Sequence, residues 1–123
     1  MGLNMIINRS VLGLVISITV FSTVPARSAD FKFRKSVALK IGQSVILKGV
    51  RSRDCGAVAP GWSRVRHRLP KTKLGIFSDG GAGFTRSKHC GGRVGARGIR
   101  FTAKRAGNEQ VTIFEDTVRI TVN

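Results

Sequence analysis

The chain has 123 residues, with 22 Lys and Arg against six Asp and Glu, a net charge of +16 that favours polyanionic partners and says nothing about fold. Two histidines, six acids, no carboxylates paired at a useful spacing and no Gly-x-Ser-x-Gly elbow argue against an enzyme, so no catalytic residue and no cofactor are expected.

Residues 1–28 read as a cleaved secretory signal peptide. Met1 to Ser10 is a short leading region with one charge, Arg9; "VLGLVISITVF", Val11 to Phe21, is the apolar run; "STVPARSA" supplies small and turn-forming residues. Cleavage after Ala26 and cleavage after Ser28 both fit. The apolar stretch to Val24 is only 14 residues, short of the ~20 that a spanning helix needs. Export to the periplasm or beyond is the expectation, with no integral membrane span left after cleavage. Arg9 and Arg27 leave with the peptide, so residues 29–123 keep 20 basic and six acidic residues, a net +14. That length makes one small domain.

From there the dominant period is two. In "VALKIG" Val37, Leu39 and Ile41 alternate with Ala38 and Lys40, and Gly42 and Gln43 turn the chain. "SVILKG" sets Val45 and Leu47 on one face, Ile46 and Lys48 on the other. Cys55 follows, and its one possible partner is Cys90. Two cysteines in an exported chain predict a disulfide. Cys55, His67, His89 and Cys90 make up a Cys₂His₂ count, but their spacing fits no zinc pattern, and the adjacent His89 and Cys90 would point to opposite faces of a strand.

Residues 62–73, "WSRVRHRLPKTK", form the densest basic stretch. As a strand, Arg64, Arg66 and Arg68 would share a face. As a helix, Trp62, Val65 and Leu69 make an apolar stripe with the arginines fanned outside, bracketed by Gly61 and Pro70. The short helix near 61–69, packed over one end of the fold, is the favoured reading. It makes Trp62 a packing residue and Arg64, Arg66, Arg68, Lys71 and Lys73 an exposed cationic surface. One tryptophan without interleaved aromatics is a poor base-stacking platform, so a specific nucleic-acid role is not expected.

"DGGAG", residues 79–83, reads as a hairpin turn between strands at 74–78 and 84–88. Then "IRFTAK" alternates Ile99, Phe101 and Ala103 inward, "QVTIF" does so with Val111 and Ile113, and "TVRITV" with Val118, Ile120 and Val122. Short β-branched strands separated by turn residues predict an all-β, antiparallel sandwich of immunoglobulin-like type over residues 29–123.

The stretch "VGARGIRFTAKRAGNEQVTIFEDTVRITV" resembles the closing strands of small bacterial Ig-like domains. Gly95, Gly98, Phe101, Ala103, Ala106 and Gly107 also follow the order of chagasin-type cysteine-protease inhibitors, although that family's Asn-Pro-Thr-Thr-Gly loop and Arg-Pro-Trp segment are absent. The first resemblance implies the fold; the charge and the export reading together imply a basic, non-catalytic binding module whose partner is an anionic envelope polymer or a protein. The second implies an inhibitor presenting residues 91–98 as a loop. A subunit role in an envelope assembly is the third expectation.

Overall fold

Alternating strands account for most of the described residues, 29–123, in this computed structural model. The signal-peptide reading of residues 1–28 falls outside the described residues. In chain order the elements are β1 (Ala29–Asp30), β2 (Ser36–Leu39), β3 (Ser44–Arg51), α1 (Trp62–Arg66), β4 (Gly75–Ser87), β5 (Gly92–Ala103), β6 (Gly107–Ile113) and β7 (Asp116–Val122). One sheet has the order β1-β4-β5-β3 and the other β2-β7-β6. The domain is an all-β sandwich. The expected inward residues of β5, β6 and β7 do meet between the sheets, where Leu47, Ile99, Phe101, Ile113, Val118 and Ile120 are fully buried.

The pairing is not wholly antiparallel. β3, β4 and β5 pair antiparallel, as do β6 and β7, but β1 joins β4 and β2 joins β7 in parallel. Parallel neighbours need a long crossover between them. Residues 31–74 make that connection for β1 and β4 and residues 40–115 for β2 and β7, and the N-terminal segment gives one short strand to each sheet.

Two bulges depart from simple alternation. Residues 79–83 do not turn the chain: β4 runs through them as one strand of 13 residues. Asp79 pairs with Ile99 and Ala82 with Arg97, so Gly80 and Gly81 together stand against Gly98, one extra residue on β4. Gly81 has φ +91°, and its N–H donates to Asp79 Oδ1 at 2.7 Å. The glycines serve a bulge, which needs the same backbone freedom as a tight turn.

In β3 the register shifts between Ile46 and Lys48. Both Leu47 and Lys48 are consequently buried, which corrects the expected outward position of Lys48. Its Nζ donates to the carbonyls of Ile113 and Phe114, each at 3.2 Å, and to Asp116 Oδ2 at 2.6 Å. Lys48→Met would leave two carbonyls of the β6–β7 turn without their donor. We expect a loss of about 2 kcal/mol in urea unfolding; a change under 0.5 kcal/mol would show that water replaces the ammonium there.

A second apolar centre lies outside the inter-sheet core. The alternation that sends Ile99 inward sends Ala96 and Gly98 to the outer face of the first sheet. The Phe31 side chain lies across that face, with its atoms 2.7–2.9 Å from where a Cβ would stand on Gly49, Gly83 or Gly98. Three strands thus offer glycine beneath one ring, and any side chain there would displace it.

Candidate functional site

β3 ends at Arg51, and the chain then runs through residues 52–61 without regular structure. Several bonds hold this loop. Cys55 is disulfide-bonded to Cys90 at the tip of the β4–β5 hairpin. Gly95 N–H donates to Gly56 O at 3.1 Å, and Arg97 Nε donates to Pro60 O at 2.9 Å. A side chain on Gly95 would collide with the Ala57 carbonyl, so glycine permits the loop to lie directly on β5.

The helix that follows is shorter than the expected 61–69. No side chain caps its start at Gly61, and only five residues are helical. Val65 is buried in the core, with Trp62 and Leu69 packed half-buried against it. The apolar stripe is therefore the inner side of α1, and the arginines around it are exposed.

Arg64 and Arg68 meet Arg51 and Arg53 around a groove of about 490 Å³, floored by Val50 and Phe114. Past Arg51 and Arg53 a second hollow of about 360 Å³ continues to Arg86, beside Phe33. Arg68 stacks on the Phe114 ring, its guanidinium carbon 4.6 Å from the centroid, and Arg51 Nη1 donates to Ser52 O at 3.0 Å. These contacts limit the freedom of two guanidiniums before any ligand arrives.

The acids neutralise these two hollows only in part: Asp54 lines the first, and Glu115 and Asp116 the second. Asp30 pairs with Arg93, Asp79 with Arg97 and Asp116 with Lys48. Asp54 accepts from Gly56 N–H, and Glu109 accepts from Thr72 Oγ1 and Lys73 N–H. Among the described residues Arg51, Arg53, Arg64, Arg68 and Arg86 have no carboxylate in ion-pair contact.

The β6–β7 turn beneath Arg68 is strained. Phe114 and Glu115 have φ 45° and 79° and connect the paired residues Ile113 and Asp116. A two-residue hairpin with positive φ at both positions favours Asn-Gly. Holding residues with side chains there costs about 1–2 kcal/mol each.

Of the five residues expected to form one cationic surface, Arg64 and Arg68 line the groove. Arg66 is exposed but does not line either hollow, and Lys71 and Lys73 are exposed on the segment that Glu109 fastens to β6. Arg51, Arg53 and Arg86 were missed; "RSRD", which begins on the last residue of β3, was the available signal for the first two. Of residues 91–98, expected as a presenting loop, 92–98 belong to β5, and Gly95 and Gly98 lie under Ala57 and Phe31. His67 and His89 are exposed, both cysteines are in the disulfide, and among the described residues no three His, Cys, Asp or Glu side chains converge as metal ligands. Nor is any described helix long and apolar enough to cross a membrane. Neither a protein-family model, nor a curated protein, nor a solved structure matches the chain.

Proposed function

We propose that the protein is an exported, non-catalytic module of the cell envelope that binds anionic polymers through the groove between β3, α1 and the β6–β7 turn. The observation that carries this reading is the set of five arginines around two adjoining hollows with no carboxylate in ion-pair contact with them. Guanidinium groups remain charged at every physiological pH and match oxyanions with two parallel hydrogen bonds. The disulfide and the signal-like leader support an oxidising location.

The test is retention of residues 29–123 on immobilised heparin across a salt series. Binding should be firm at low ionic strength and weaken steeply as counterions compete. Replacing Arg51, Arg53, Arg64 and Arg68 with Gln should abolish retention with the fold intact, while replacing Arg66, Lys71 and Lys73 should lower it modestly. Retention that does not change with salt would remove the proposal. A stoichiometric protein co-purifying at physiological salt would favour an assembly subunit instead.

A further inference from the structure

Resting on the polyanion reading, we infer that the groove is a preorganised site for clustered phosphate groups, built on the strained Phe114–Glu115 turn. Three observations converge. First, the cations lining the two hollows that are outside ion pairs are all arginines, because the one lysine there, Lys48, is committed to the turn carbonyls and Asp116. An all-guanidinium lining suits bidentate recognition of tetrahedral oxyanions.

Second, the charge excess asks for a dense anion. Five arginines face two carboxylates outside ion pairs, Asp54 and Glu115, which leaves an excess of three positive charges. A phosphomonoester carries about −1.5 to −2 at neutral pH, so two adjacent phosphates fit this excess. Carboxylate polymers, with one charge per group, meet it poorly.

Third, the turn keeps Phe and Glu where Asn and Gly would relax it. What the strain obtains is the position of the Phe114 ring under Arg68, at 4.6 Å. Backbone strain of this kind clusters where geometry serves binding. Lys48, donating to the Ile113 and Phe114 carbonyls from below, holds the turn in that state.

The experiment is calorimetric titration of residues 29–123 with tripolyphosphate, a sulfated heparin oligosaccharide and oligogalacturonate at one ionic strength. Tripolyphosphate should bind at least tenfold more tightly than the other two. Arg51→Gln and Arg68→Gln should each weaken it roughly tenfold, and Lys104→Gln, at the other end of β5, should leave it unchanged. The decisive variant is Phe114→Asn with Glu115→Gly. It should melt no lower than the parent and yet bind tripolyphosphate about fivefold more weakly, since Arg68 loses its platform. A relaxed-turn variant with full affinity would overturn the role given to the turn.

Vesicles of phosphatidylcholine with and without phosphatidic acid identify the source of the phosphate. Binding to the acidic vesicles that tripolyphosphate displaces supports the site with a lipid headgroup as ligand. Tripolyphosphate binding without vesicle binding supports it with a soluble or polymeric phosphate. Equal affinity for all three soluble anions would overturn the phosphate inference and leave the polyanion reading standing. Absence of binding to any of them at low salt would remove both.

Discussion

A chain carrying Cys55→Ser and Cys90→Ser should be less stable than the parent by about 3–4 kcal/mol, because the unfolded chain regains the freedom of the closed loop. The bridged residues are 35 positions apart, and they join the irregular 52–61 segment to the hairpin tip. Little else restrains that segment at its middle. Val58 is largely exposed, and the remaining anchors are single hydrogen bonds at Gly56 and Pro60. In a domain of this size each kcal/mol shifts the melting temperature by roughly 4–8 °C, so the transition should fall well outside experimental error. Reduction of the parent protein should reproduce the shift. Arg53 travels with the loop, so heparin retention should weaken as well. If the serine variant unfolds within 1 kcal/mol of the parent, loop closure is not what the bridge contributes.

Phe31→Ala should be the most damaging single substitution outside the inter-sheet core, with a loss of about 3 kcal/mol. The ring is only 8% exposed and rests on backbone at Gly49, Gly83 and Gly98. Removing it opens a cavity that those glycines have no side chains to fill. The loss should also be local in a recognisable way. Phe31 N–H donates to Phe84 O, and Thr85 Oγ1 donates to Phe31 O, so β1 and its contact with β4 should open first. Hydrogen exchange should then quicken at Phe31 while the amides joining β6 to β7 stay protected. Uniform loss of protection across both sheets would show that the strap and the core unfold as one unit. Gly98→Val approaches the same place from the other side and should expel the ring by collision.

The strands with strict alternation were legible because their side chains face one core and one solvent. Val118, Ile120 and Val122, for example, could be assigned inward from their spacing alone. The bulges were not legible. Gly80 and Gly81 carry the same composition as a hairpin turn, and only the pairing partner on β5 distinguishes the two. Lys48 looked like an outward residue because a one-residue register shift leaves no mark on its neighbours. The groove was hidden for a related reason. Arg64 and Arg68 come from the basic stretch, but Arg51, Arg53 and Arg86 come from β3, a loop and β4. Nearness in sequence grouped Lys71 and Lys73 with the helix arginines; the bonds from Glu109 to Thr72 and Lys73 tie that segment to β6 instead.

The parallel pairing of β2 with β7 also governs when the domain can form. Val37 is opposite Ile120 and Leu39 opposite Val122, and Asn123 exchanges backbone hydrogen bonds with Leu39 and Ile41. An early strand therefore waits for residues synthesised some eighty positions later before its sheet can close. The β4–β5 and β6–β7 hairpins can zip locally, yet neither buries the shared core alone. Such long-range closure places folding in the slow, millisecond-to-second range expected of sandwiches. On the export reading proposed above, a chain that stays open until β7 emerges remains threadable through a narrow channel for the whole of its passage.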